Sequence, residues 1–600
     1  MKYWIILLIG WLPSAFAVEL VQNTASRDYQ SLNGEWDVII DAFDVGDKRK
    51  FFTNTIPRSP SQLVEYNFSS SMKLQVPGDW NTQGKELFRY EGSVWYHRKF
   101  TVDKRKNKNY VLYFGAVNYI AKVYLNGEFL GEHEGGFTPF QFDVNDNLKG
   151  GDNSLVVKVN NRRESDYIPT MSTDWWNYGG ITRSVKLLEL ENGYISDYSV
   201  VYGPGSDPAI KAYFKATGDY SKKSKVQFRV PELDINATVA LDKDGKAEVI
   251  IPADPKLWTP EDPKLYGIEI AFKGREVVDR IGFRTVDIDG IEILLNGEPV
   301  FLRGISIHEE SPKGAGRAWS EEDARTLLSW AKELGCNYVR LAHYPHNEAM
   351  LRIADEMGLL VWAEIPVYWD IQFGSEEVYK KAETQYTEML TRDKNRAAII
   401  LWSIANETPK DEVRTEFLGK LVDKVHSLDP TRLVTAAINT QSTTEYGRRI
   451  DDPFAEKVDV IGINTYCGWY EDTPEECANY RWVSDYNKPV IVSEFGAGAL
   501  QGFHGDEHQV FTEENQALVY RYNLEMLDNM KDLRGVSPWI LKDFLSPRRP
   551  LANIQDYWNR KGLLSENGVK KKAWYVMKDW YEEKAKQPAS DSESLFRAGN

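Results

Sequence analysis

Ser320-Glu-Glu-Asp-Ala-Arg-Thr-Leu-Leu-Ser-Trp-Ala-Lys-Glu-Leu-Gly335-Cys-Asn-Tyr-Val-Arg-Leu341 decides the fold, because a helix and a strand follow one another within it. Ser320 and Asp323 have capping-box spacing, Leu327, Leu328, Ala331 and Leu334 recur on one helical face, and Gly335 is a stop signal. The apolar run 337–341 then reads as a strand. The pattern repeats at once: Met350, Leu351, Ala354 and Met357 mark a second helix ended by Gly358, and Leu359-Leu-Val-Trp-Ala-Glu364 a second strand. With 300–305, 399–405, 433–438, 458–464, 489–494 and 535–541, eight strand candidates predict a closed (β/α)8 TIM barrel. Chemistry in such barrels sits at the C-terminal ends of the strands. Arg340, His343, Glu364, Asn406, Glu407, Tyr466 and Glu494 all fall there.

Upstream the period changes. From 18 to 190, short alternating segments are divided by turn signals, among them the hairpin dipeptide Asn126-Gly127, and predict a β-sandwich. A second strand-rich stretch, 191–288, has the length of an immunoglobulin-like sandwich. The barrel and a C-terminal tail occupy 289–600. Three domains suit 600 residues, more than one core holds.

The formal net charge of −16 disfavours nucleic acid and anionic surfaces as partners, so an acidic substrate needs a local basic pocket. Residues 1–17 have a basic start, a short apolar stretch and Ala15-x-Ala17, the form of a secretion signal. No later run is apolar for about 20 residues, so no membrane span is expected and the mature chain is read as exported, periplasmic or secreted. Cys336, Cys467 and Cys477 do not make a disulfide framework and leave room for at most one Cys467–Cys477 bridge. Lys570-Lys-Lys572 reads as a solvated basic loop.

Glu407 and Glu494 each close an apolar strand. Retaining hydrolysis of a glycosidic bond needs two carboxyl groups about 5 Å apart, one protonated acid and one ionised nucleophile. Aromatic residues make up 13% of the chain, a supply of faces that stack on sugar rings or pack in cores. No His, Asp or Glu cluster has the spacing of a catalytic metal site, and this chemistry needs neither metal nor cofactor.

Arg303-Gly304-x-x-x-His308-Glu309, Val339-Arg340-x-x-His343-Tyr-Pro345, Trp402-Ser-Ile-Ala-Asn-Glu407, Tyr466-x-Gly-Trp-Tyr470 and Ser493-Glu494-Phe-Gly496 resemble the signatures of glycoside hydrolase family 2, in order and over nearly the whole mature chain. The resemblance implies a jelly roll, an immunoglobulin-like domain and a catalytic barrel. It makes Glu407 the general acid/base, Glu494 the nucleophile, and Asn406 the partner of the sugar 2-hydroxyl. His343 matches a sugar-hydroxyl contact, and Tyr466 and Arg340 are donors that keep Glu494 ionised. His308 either binds substrate or ties the first barrel loop. Relatives often assemble as dimers or tetramers, which admits a homo-oligomer.

For specificity, Asn559-x-Lys561-Gly resembles the element by which β-glucuronidases hold the sugar carboxylate, an amide and an ammonium facing one anion. Asp174 looks like the aspartate that reaches from the jelly roll into that site, and Tyr470 and Trp539 match aromatic pocket positions. Arg548, Arg549 and Arg560 make the region basic. One departure stands out: the familiar glucuronidases carry an arginine four residues before the Asn, where this chain has Gln555. The expectation is a retaining exo-β-glycosidase acting on a carbohydrate, a β-glucuronidase. The alternatives are a β-galactosidase working on polysaccharide fragments and, from another class, a carbohydrate-binding protein without catalysis.

Overall fold

The computed structural model describes residues 20–59, 61–203, 207–444 and 447–587. The segment read as a secretion signal lies outside the described residues, as does the end of the C-terminal tail.

A six-stranded and a four-stranded antiparallel sheet form the first sandwich, between Tyr29 and Glu191. Trp36, Leu74, Tyr96, Phe114, Val123 and Val157 fill the space between them. Ile120–Leu125 and Glu128–Glu134 are joined by Asn126-Gly127, both at positive φ (55° and 89°), the backbone that a two-residue hairpin turn requires. Three strands and four strands then make the second sandwich, Gly193 to Ile281, around Tyr198, Phe214, Phe228 and Ile270.

The third unit is a closed parallel barrel. Its strands are Leu302–Arg303 with Ser306–Ile307, Tyr338–Leu341, Leu360–Glu364, Ile399–Asn406, Leu433–Ile438, Val460–Asn464, Val490–Glu494 and Leu533–Val536. The first strand closes the ring because its two halves pair with opposite neighbours, Leu302–Arg303 with the eighth strand and Ser306–Ile307 with the second. Gly304 sits at the crossover, where a Cβ would stand 2.1 Å from the Tyr338 ring, so only glycine fits. The Ser320 capping box forms, and the helix Glu321–Leu334 ends at Gly335 with φ 99°. The eighth strand stops at Val536 rather than running to Leu541: Pro538 has no N–H to donate to a ladder, and the chain beyond it becomes the loop bearing Trp539.

Buried ion pairs join the units. Arg183 of the first sandwich reaches Glu309 (3.0 Å) and the Pro345 carbonyl (2.7 Å) of the barrel, and Asp279 of the second sandwich binds Arg352 (2.9 Å) and Arg396.

One sequence reading needs correction. Lys571 is not solvated: its ammonium is fully buried against Asp543 (2.7 Å) and the Arg560 carbonyl (3.0 Å), while Arg560 also reaches Asp543 (3.3 Å). The same carboxylate accepts the Gly562 N–H (2.9 Å), so this cluster pins the loop 559–562 from behind. Cys467 and Cys477 are bonded, with Cα atoms 5.8 Å apart, because the short helix Pro474–Cys477 folds the loop after the sixth strand back on itself. Cys336 is free and buried.

Lys571→Ala removes one partner of a buried pair, a loss of roughly 3–5 kcal/mol. Thermal unfolding is expected at a clearly lower midpoint than for Lys570→Ala, whose ammonium is partly exposed. Equal midpoints would show that the cluster does not hold the loop.

Candidate active site

Arg340, fully buried on the second barrel strand, organises the floor of the site. Its guanidinium donates to Glu494 Oε1 (2.7 Å), the Ser493 carbonyl (3.1 Å), Asn406 Oδ1 (2.8 Å) and both oxygens of Glu364 (3.2 and 3.3 Å). Burial alone would weaken its hold on the proton, but Glu364 and Glu494 outweigh it and raise its pKa. Burial likewise opposes ionisation of Glu364, yet Arg340, His343 and the Trp362 indole bring that carboxyl down to about 2. Glu494, at the end of the seventh strand, accepts on its other oxygen from the Tyr466 hydroxyl (2.6 Å).

Glu407 follows the fourth strand in a left-handed conformation, φ 52°, with its N–H on the Ala437 carbonyl (2.9 Å). Its two oxygens accept from Asn464 Nδ2 (2.9 Å) and the Trp369 indole (2.8 Å). Burial, and then the charge of Glu494, raise its pKa, against the pull of those two donors. The two carboxyl groups therefore share one field, Glu494 on a cation and a phenol and Glu407 on two neutral donors. Since a guanidinium only donates, the Asn406 atom facing Arg340 is oxygen, and its buried Nδ2 is left without a protein partner.

His343 bonds Glu364 through Nδ1 (2.9 Å) and stacks on Trp539, ring centroids 4.7 Å apart. His308 bonds the Tyr344 hydroxyl through Nδ1 (3.1 Å), while its Nε2 is buried and unpartnered. Burial first, then the neighbouring histidines and arginines, keep its pKa far below the ordinary histidine value, so the ring is neutral.

A second cluster adjoins the first, since Tyr466 and Tyr470 pack edge to face at 5.3 Å. Lys561, 4% exposed, donates to the Tyr470 hydroxyl (2.6 Å), with its ammonium over the rings of Tyr470, Tyr466 and Trp469 at 4.6, 5.2 and 5.7 Å. Among the described residues it has no carboxylate within 4.0 Å, and burial lowers its pKa. Asp174 arrives from the first sandwich and accepts from Ser546 (2.5 Å), Asn559 (3.2 Å) and Arg549. The adjacent Trp175 packs on Tyr368 (4.9 Å) and His343 (5.6 Å), which anchors that segment over the barrel mouth.

All twelve residues given a site role from the sequence thus lie in one connected site. Trp369, Asn464, Glu364 and Arg549 complete it without having been assigned a role. The aromatic pair Tyr368-Trp369, just past a strand end, was a signal open to reading. Asn464, the last residue of its strand, offered only its position. Of the other arginines, Arg560 is bound to Asp543 and Glu566, and Arg548 lies on the Trp369 ring at 4.8 Å.

Residues 286–583 match the TIM barrel domain of glycosyl hydrolases family 2, residues 29–191 its sugar binding domain, and residues 194–284 a third model described as glycosyl hydrolases family 2. The β-glucuronidase of Rattus norvegicus is 28% identical over 93% of this chain and 91% of its own length. That of Paenibacillus borealis is 27% identical over 94% and 99%. The solved β-glucuronidase of an uncultured Clostridium sp. superposes with a TM-score of 0.81 at 27% identity, over 95% of this chain and 100% of that one.

Glu364, held at about 2 against an ordinary 4.5, stabilises the fold fully above about pH 4.5, and that contribution disappears as the pH falls toward 2. Glu364→Gln should lower stability near neutrality by about 3 kcal/mol and flatten its decline between pH 4.5 and 2. Urea unfolding across that pH range checks both; an unchanged acid slope would show that the Arg340 pair contributes nothing.

Proposed function

The chain belongs to glycoside hydrolase family 2, and from that premise we propose that it is an exported, retaining exo-β-glycosidase, a β-glucuronidase that releases glucuronic acid from the non-reducing ends of oligosaccharides or conjugates. The observation that carries the specificity is Lys561: an ammonium buried among three aromatic rings, bonded to a phenol rather than a carboxylate, beside the Asn559 amide. A buried charge without a counter-ion is unfavourable by several kcal/mol, and a substrate carboxylate supplies the missing anion. A neutral galactoside would not, which ranks the β-galactosidase reading second.

The chemistry follows from the unequal carboxyl groups. Glu494, gripped by Arg340 and Tyr466, attacks the anomeric carbon while Glu407 gives its proton to the leaving oxygen. The glycosidic C–O bond breaks as the ester bond to Glu494 forms. Having given up its proton, Glu407 is a carboxylate; esterification removes the Glu494 charge, one of the two causes that raise its pKa, so it stays ionised until it accepts a proton from water. That water attacks the anomeric carbon and frees Glu494. The unpartnered Asn406 Nδ2 donates to the 2-hydroxyl, a bond that tightens as the oxocarbenium-like transition state forms. With its Nδ1 on Tyr344, neutral His308 keeps an Nε2–H for a further hydroxyl. His343 and Trp539 together wall the sugar site. Export is read from residues 1–17, and the Cys467–Cys477 bond supports an oxidising compartment.

The test is the ratio of kcat/KM for aryl β-D-glucuronide and β-D-galactoside, with Lys561→Ala beside the parent. The glucuronide should win, and the variant should lose that preference by about 2 kcal/mol or more, the scale of a charged hydrogen bond. A galactoside preference in the parent would overturn the glucuronidase reading and leave the two-glutamate chemistry standing. Glu494→Gln should lose nearly all turnover, whereas a binding protein would be indifferent to it.

A further inference from the structure

Lys561 is not alone at the Tyr470 phenol. Burial would raise the pKa of that hydroxyl, but Lys561 and then Arg549 outweigh it and lower it, so two cations bear on one oxygen. They also oppose each other: after burial and the partial relief given by Tyr470, the charge of Arg549 makes Lys561 harder to protonate. One carboxylate, Asp174, stands against the pair. It is bound by Arg549 through Nη2 and by Asn559, while the Nε–H of Arg549 is buried and has no partner.

We propose that Arg549 is the second cation of the sugar-carboxylate subsite and a determinant of specificity for uronic acids, an inference that rests on the glucuronide reading above. Two positive groups and one negative group leave a single uncompensated charge, which a substrate carboxylate neutralises. Repulsion between like charges held in a buried site becomes attraction once an anion lies between them. The Tyr470 hydroxyl marks the point on which the two cations converge, and a carboxylate approaching there accepts from the Lys561 ammonium and from the exposed part of the Arg549 guanidinium.

The loop geometry explains how the guanidinium arrives. Gln555 is neutral, and its side chain makes no hydrogen bond among the described residues; only its backbone is engaged, with Leu551 and Trp558. Arg549 enters instead from the turn after Ser546, where its carbonyl accepts the Tyr557 N–H (2.8 Å) and the Ser546 hydroxyl bonds the other oxygen of Asp174 (2.5 Å). A charge absent from position 555 is thus supplied six residues earlier, on a strand of chain tied to the same loop.

Arg549 also holds Asp174, so a purely positioning role must be told apart from a carboxylate contact. Aryl β-D-glucuronide and aryl β-D-glucoside differ only at C6, and kcat/KM on both is measured for the parent and for Arg549→Gln. The variant is expected to lose roughly 10- to 100-fold more on the glucuronide than on the glucoside, the range of a charged hydrogen bond. Equal losses on both substrates would mean that Arg549 only positions Asp174, and no loss that it is idle; either overturns the proposal. A parent that does not prefer the glucuronide overturns the reading beneath it, and this is seen without any variant. Should Arg549→Gln fail to fold, a crystal of the unmutated chain soaked with D-glucuronate decides. A carboxylate oxygen within about 3.2 Å of Arg549 is expected, and one held by Lys561 and Asn559 alone overturns the proposal.

Discussion

A single buried guanidinium sets the terms for everything around it. Arg340 is fully buried, so it must satisfy its donors on protein acceptors, and those it finds come from three different barrel strands. Glu364, Glu494 and Asn406 are thereby fixed relative to one another before any substrate arrives. A buried ion pair is a poor source of net stability, because desolvation offsets much of the attraction. Its use here is orientation: the nucleophile candidate is held on a cation and the amide of Asn406 faces one way only. Catalytic groups preset in this manner need little reorganisation during reaction.

The neighbouring Glu407 lives under the opposite regime. It receives hydrogen bonds from Trp369 and Asn464 but no cation, and burial together with Glu494 raises its proton affinity. Two identical side chains are thus given different surroundings, one a cation and the other only neutral donors. The coupling also runs in time, since any event that removes the charge of one alters the other.

How far the sequence could be read depended on whether a feature was periodic or contextual. Barrel strands and helices announce themselves through apolar repeats, Ser320 and Gly335, so the architecture and the strand-end positions of Glu407 and Glu494 were legible. The partner of Trp369 was not, although the aromatic pair marked the place, because it depends on its backbone N–H meeting the Asn406 carbonyl at the end of the next strand. Arg548 and Arg549 are adjacent and alike on an irregular loop, yet one covers an indole and the other grips Asp174. No period distinguishes them. Lys571 illustrates the same limit within a run of three lysines, where only the tertiary position of Asp543 determines which one is buried. The Cys467–Cys477 bond depends on a loop turning back through a one-turn helix, information that spacing alone does not contain.

Asp174 belongs to the first sandwich by chain connectivity and to the candidate site by contact, bonded to Asn559, Ser546 and Arg549 of the barrel. The sandwich is therefore not a detachable accessory, in the way that many carbohydrate-binding modules are. A minimal barrel, cut free at the domain boundary, would lose a wall of its own pocket and the Trp175 seal above it. Exchange of this sandwich for another would remake the recognition surface itself. Recombination can pass these two domains on only together, and a new specificity has to be written in both at once.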